Sequence, residues 1–130
     1  MELEFAATGS EAAGAYPIAL REASDCRIVD WEPLVRAALD ELHAGARPAD
    51  IARRFHQTLA EAIVGVARAV GLPRLVLTGG CFQNVLLSEL AIARLRAEGF
   101  TPYWHQRIPP NDGGIALGQV VAARRTSTRG

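Results

Sequence analysis

The stretch Leu75-Val-Leu-Thr-Gly-Gly-Cys-Phe-Gln-Asn84 constrains the fold more than any other part of the chain. Apolar and β-branched residues run up to two glycines, as in a short buried strand stopped by a sharp turn. A helical run then begins at Gln83 or Asn84. Strand, glycine turn and helix N-terminus together aim free backbone N–H groups at an anion, and the glycines put no side chain in a phosphate's way. A bare Gly-Gly is more often a plain turn than a binding loop. The balance shifts because Ile108-Pro-Pro-Asn-Asp-Gly-Gly-Ile-Ala-Leu-Gly-Gln119 repeats the plan downstream.

The surrounding pattern predicts an α/β domain. Met1-Glu-Leu-Glu-Phe-Ala-Ala reads as helical turns ended by Gly9 and Ser10, and Glu11 to Ala15 as a loop. Tyr16–Leu20 and Cys26–Val29 are two short strand candidates able to pair as a hairpin, with Pro17 at an edge. Asp30 caps a helix whose first turn holds Pro33 and which Gly45 stops. Pro48 opens the clearest helix. Its apolar stripe Ile51, Phe55, Leu59, Ala62, Ile63, Val66 and Val70 reads as a core face, and Gly71 and Pro73 end it. The strand Leu75–Thr78, a helix from Gln83 to Glu98, a strand over Thr101–His105 and a last helix from Ile115 to Arg125 follow. Alternation of this kind implies right-handed parallel crossovers, so the loops after both strands fall at one sheet edge, where ligands of open α/β sheets bind.

A chain of 130 residues, 49% of them hydrophobic, suits one folded domain over residues 1–130 with a frayed polar tail over 126–130. Lys and Arg number 14 and so do Asp and Glu, so no net field draws the chain to nucleic acid or an anionic membrane. Arg53-Arg54 and Arg124-Arg125 read as solvated helix faces. The acidic Met1-Glu-Leu-Glu lacks the basic start of a signal peptide, and no apolar run is long enough to span a bilayer. Cys26 and Cys81 suggest no disulfide framework; a reducing cytoplasm is the expected setting.

Thr78-Gly-Gly-Cys-Phe-Gln-Asn84 and Pro109-Pro-Asn-Asp-Gly-Gly-Ile-Ala-Leu-Gly-Gln119 together resemble the C-terminal end of the HypF family of hydrogenase maturation carbamoyltransferases. Ala52-Arg-Arg-Phe-His-Gln-Thr-Leu59 and the opening Met1-Glu-Leu-Glu resemble it too, so the likeness covers essentially the whole chain. It implies one lobe of an actin/Hsp70-like ATPase fold, a small mixed sheet with parallel strands covered by helices. It also implies chemistry in which carbamoyl phosphate and ATP give a carbamoyl-adenylate, whose carbamoyl group passes to the C-terminal cysteine of a HypE partner and becomes a cyanide ligand of a nickel–iron centre. By this likeness Gly79 and Gly80 cradle phosphate, and Gln83 and Asn84 contact nucleotide. Asn111, Gly113 and Gly114 shape the second loop, and Asp112 is a ligand of a divalent metal, either magnesium or a zinc or iron type. No residue is assigned as catalytic.

The sequence departs from the family at three places. Cys81 stands where a small apolar residue such as valine is usual, and Val85 where a basic residue is common. Most important, the family's metal site uses two histidines four apart on the first lobe, whereas the histidines here are His43, His56 and His105. An isolated chain with Asp112 alone is expected to lack a complete metal site.

Each sharp reading has a bland competitor. Cys81 reads as a buried filler of the valine slot rather than a nucleophile, and His56 as a structural histidine rather than a ligand or base. His105 ends a strand near the expected cleft and is a lesser candidate for substrate contact. Asp112 is compatible with both capping the last helix and holding a metal. Trp31 and Trp104 read as packing or lobe contacts. The leading expectation is a nucleotide-binding enzyme fragment completed by a first lobe; Met1 permits a free-standing product. The alternative is a non-catalytic interaction module for HypE or HypF. A carbamoyltransferase of another branch is a third, weakened by Pro109-Pro-Asn-Asp-Gly-Gly.

Overall fold

The computed structural model describes residues 2–127. In chain order these form α1 (Glu2–Ala7), β1 (Ala19–Glu22), β2 (Arg27–Asp30), α2 (Glu32–His43), α3 (Pro48–Val70), β3 (Arg74–Leu77), α4 (Val85–Ala97), β4 (Thr101–Trp104) and α5 (Ile115–Ser127). Short 3-10 turns over Gly80–Gln83 and Asp112–Gly114 precede α4 and α5. The helix expected to end at Arg125 thus continues to Ser127, and the rest of the proposed frayed tail lies outside the described residues.

β3 and β4 pair in parallel with Arg74 opposite Thr101 and Leu77 opposite Trp104, joined through α4 as the crossover rule requires. β1 and β2 pair antiparallel as a separate two-stranded sheet. That hairpin starts later than the sequence suggests, at Ala19, which leaves Pro17 outside the ladder, where its missing N–H costs nothing. Trp31, not Asp30, takes the N-cap position of α2; Asp30 still accepts a hydrogen bond from the Glu32 amide at 3.2 Å.

The core lies where α3 crosses α4 above β3 and β4, built on Ala60, Val64, Ala67, Leu77, Ala91 and Leu95. Here the reading of α3 needs correction. Its enclosed face is Ala52, His56, Ala60, Val64 and Ala67, spaced four, four, four and three apart. The larger stripe from Ile51 to Val70 flanks that face and lines open grooves. Ile51 and Phe55 face a groove against α2, Leu59 a second cleft, and Ala62, Ile63, Val66 and Val70 a third beside β3. Small residues win the buried line because they let α4 approach α3 closely at native packing density. Periodicity alone does not separate a buried stripe from a groove wall.

Charged clips reinforce this joint. Arg94 of α4 pairs with Glu61 of α3, and also reaches Glu98, which Arg68 holds in turn. The Arg94 hydrogen bond holds the Glu61 carboxyl below its usual range, and the Arg68 hydrogen bond does the same for Glu98. The segment after α1 is pinned onto α3 at three points. Ser10 donates to Asp50 at 2.6 Å, Gln57 to the Ala12 carbonyl at 3.1 Å, and the Tyr16 amide to Thr58 at 2.7 Å. Burial, then its hydrogen bond to Glu41, pushes the Tyr16 phenol up to about 12.

Candidate functional site

β3 ends at Leu77 and delivers Thr78 and Gly79 to the edge of the sheet. Gly79 has φ +107° and ψ 158°, a backbone region essentially reserved for glycine, so the chain reverses there. Its amide donates to the Pro110 carbonyl at 2.8 Å. This bond joins the turn after β3 to the loop after β4, and it puts both glycine loops at one rim, as the parallel topology demands. Thr78 and His105, the residues just past the two strands, meet at 3.0 Å between Oγ1 and Nε2.

The free amides sit one turn earlier than the sequence suggests. At the start of α4, Glu4 takes the Val85 and Leu86 amides at 2.7 and 3.3 Å, and the Asn84 side chain takes the Leu87 amide at 2.8 Å. A carboxylate against a helix N-terminus satisfies orphan donors and the helix dipole together. That end of α4 is filled from within. In the 3-10 turn before it, Phe82 donates to Gly79 and Asn84 to Cys81, while the amides of Gly80 and Cys81 make no hydrogen bond among the described residues. These two N–H groups are the exposed donors an anion would meet. A Cβ at Gly80 would meet Gln83 Oε1 at 3.9 Å, an ordinary contact, so the turn tolerates a methyl group there.

Asn84 is engaged within the chain at both ends of its amide, since Nδ2 also lies 2.8 Å from His56 Nε2. His56 is enclosed, in keeping with the structural reading, and its Nδ1 meets the Ala52 carbonyl at 2.8 Å. Gln83 is exposed at the mouth of a cleft of about 880 Å³ between α1, α3 and the turn. Leu3, Phe5, Phe55 and Leu59 contribute apolar wall, and Glu4, His56 and Asn84 polar lining. Cys81 opens onto the same cleft and is exposed, which overturns its reading as a buried filler. No local pattern marks the Glu4 cap, whose partners lie 81 and 82 residues away.

The second loop closes on itself. The Asn111 side chain accepts from the Gly113 amide at 3.0 Å, and the Gly114 amide donates to the Asn111 carbonyl at 3.0 Å. A Cβ on Gly113 would stand 3.1 Å from Asn111 Oδ1, and one on Gly114 would stand 3.2 Å from the Pro109 carbonyl. Asn111, not Asp112, therefore does the capping, and the exposed Asp112 carboxylate is left facing solvent two residues beyond Pro110. Among the described residues no group of three or more His, Cys, Asp or Glu is close enough to hold a metal ion. Asp112 alone supplies at most a carboxylate, so a cation held there would need its remaining ligands from outside the described residues. His43 is exposed at the end of α2, remote in sequence from either loop.

Three comparisons bear on this arrangement. Residues 1–119 match the family model described as carbamoyltransferase, Kae1-like domain, second subdomain. The carbamoyltransferase HypF of Synechocystis sp. is 38% identical over 107 residues, covering 82% of this chain and 14% of that protein. The HypF of Rhodobacter capsulatus is 39% identical over 111 residues, 78% of this chain and 15% of that one. A crystal structure of full-length HypF in the phosphate- and nucleotide-bound form superposes with a TM-score of 0.84 at 32% identity, covering 95% of this chain and 20% of that chain. The HypF of T. kodakarensis gives 0.73 at 25% identity, over 92% and 15% respectively. The chain therefore spans about one seventh of the Synechocystis protein.

Proposed function

The chain belongs to the HypF carbamoyltransferase family, as the second subdomain of its Kae1-like domain, and from that premise we propose that its two-loop rim binds the polyphosphate of a nucleotide. The observation that carries this reading is the Gly79–Pro110 hydrogen bond. It holds the unpartnered amides of Gly80 and Cys81 beside the loop that bears the Asp112 carboxylate. Backbone N–H groups suit phosphate oxygens, and a carboxylate nearby suits a cation shared with them. The similar full-length HypF was crystallised with phosphate and nucleotide, which supports the same ligand class here.

In this proposal the nucleotide is ATP. In the complete enzyme carbamoyl phosphate loses phosphate to water to give carbamate, whose oxygen displaces pyrophosphate from the α-phosphorus of ATP to give a carbamoyl-adenylate. The C-terminal cysteine thiol of a HypE-like protein then takes the carbamoyl group, losing its proton and displacing AMP, during nickel–iron hydrogenase maturation. Gly80 and Cys81 would donate to phosphate, Gly79 would keep the approach clear, and Gln83 would border the bound ligand. Asp112 would hold a divalent cation, which when bound offsets phosphate charge. The first lobe would supply the remaining metal ligands, and the setting is the cytoplasm. Asn84 acts in this scheme by shaping the turn, because both ends of its amide are engaged within the chain.

Titration calorimetry with ATP and magnesium tests this on the chain itself. Because the fold has room for a methyl group at Gly80, Gly80→Ala should leave stability unchanged and weaken ATP roughly tenfold by blocking approach to the amides. Asp112→Ala should weaken ATP only when magnesium is present. No ATP binding by the native chain, with tight capture of a HypE-like protein, would sink the nucleotide reading and favour a non-catalytic interaction module.

A further inference from the structure

His56 is 2% exposed, yet it fills a core position with a polar ring. Its hydrogen bonds admit one arrangement only. A carbonyl oxygen can only accept, so Nδ1 carries the proton that meets Ala52 O at 2.8 Å. Nε2 is then a bare lone pair, and the group 2.8 Å from it must donate. Asn84 satisfies this independently. Its Oδ1 takes the Leu87 amide at 2.8 Å, which leaves Nδ2 to face the imidazole. Turning the Asn84 amide over would set an N–H against an N–H at one end and oxygen against a lone pair at the other. Leu87, Asn84, His56 and Ala52 thus form one directed chain of donors and acceptors from α4 to α3.

Asn84 is also the residue on which the turn ends. Its amide donates to the Cys81 carbonyl at 3.2 Å, and the N–H of that same peptide, on Phe82, donates to the Gly79 carbonyl at 3.1 Å, so the position of Asn84 closes the turn that carries the Gly80 and Cys81 amides. We propose that His56 is a positioning residue for the anion-binding turn: through Asn84 it holds the Gly80 and Cys81 amides in one orientation. The proposal rests on the nucleotide reading of that turn. An apolar residue would fill the same space without the cost of burying two ring nitrogens, but it would leave Asn84 Nδ2 unpaired at the wall of the cleft. The titratable groups lining that cleft beside His56 are Glu4 from α1 and Cys81 from the turn, and the Phe55 ring meets the imidazole edge-on.

Two variants of the full chain, measured with magnesium-ATP as probe, test it. His56→Leu should weaken ATP about tenfold while remaining folded, since one buried donor loses its partner. Asn84→Asp keeps the shape and still caps α4, but puts an acceptor opposite Nε2. It should therefore weaken ATP at least about tenfold, and adding His56→Leu should cost little more, because the pair is already broken. Nitrogen NMR of the native chain should show Nδ1 protonated and Nε2 bare, and His56→Leu should speed hydrogen exchange at the Phe82 and Asn84 amides that close the turn. An Nε2-protonated tautomer, or a folded His56→Leu chain that binds ATP as the native one does, overturns the proposal. If the native chain binds no ATP, the nucleotide reading falls by itself, and tautomer and exchange still decide whether His56 holds the turn.

Discussion

The two glycine loops share a plan in sequence and differ in physical purpose. In the first, Gly79 is needed for a conformation, φ +107°, and a side chain there would have space around it. In the second, Gly113 and Gly114 are needed for room, because any Cβ would press on Asn111 or on the Pro109 carbonyl. The first loop is braced from α1, α3 and β4 through Glu4, His56 and His105. The second is held mainly by its own Asn111 and leads into α5, which exposes Ile115, Leu117, Val120 and Val121 to solvent. One loop is an outcrop of the core; the other is a self-made knot that ends in a helix with little packing.

The largest effect should come from cutting the support beneath the first loop. Leu95 is fully enclosed, so Leu95→Ala should lower unfolding free energy by about 2–5 kcal/mol, whereas Leu117→Ala in α5 should stay within about 1 kcal/mol. Urea denaturation of both measures the contrast, and equal losses would break it. Next in size, Gly79→Ala should cost about 1–3 kcal/mol for its forbidden conformation, and Gly114→Ala less than about 1 kcal/mol, because a loop held by itself can shift a few tenths of an ångström. A reversal of that order would mean that the second loop is the more rigid one.

The smallest effect is electrostatic. Arginines hold Glu61 and Glu98 below their ordinary carboxyl range in the folded chain, so the folded form binds fewer protons than the unfolded one in acid. Their contribution is complete above the unfolded carboxyl value of about 4.3 and fades as pH falls through the lower folded values. Glu61 and Arg94 are each about a third exposed, so screening keeps the Glu61 share below about 1 kcal/mol. Urea midpoints of the native chain and Glu61→Gln should therefore differ near neutrality and converge in acid. A constant gap would exclude the ion pair as the cause.

Much of this was legible from residues alone. Pro48 and Gly71 marked the ends of α3, and the alternation around Leu75 and Thr101 foretold a parallel pair with both loops at one edge. The family was legible in the two loops. The buried line of α3 was not, because Ala52, Ala60 and Ala67 carry a weaker hydropathy signal than Ile51, Phe55 and Val66 while filling the tighter space. Nor was the closure of the α4 N-terminus by Glu4, or the pairing of His56 with Asn84, because both depend on how distant helices cross. Local pattern told where the chain turns, and packing decided which amides the turn leaves open.

The clasp between Glu4 and Val85 also makes the end of α4 depend on a helix far away in the chain. Closing a contact between residues 81 apart costs chain entropy, and the packing of α1 on α3 lowers that cost by holding Glu4 near its partners. Were α1 to lift from α3, Val85 and Leu86 would exchange a carboxylate for water, and the helix end beneath the rim would loosen with it.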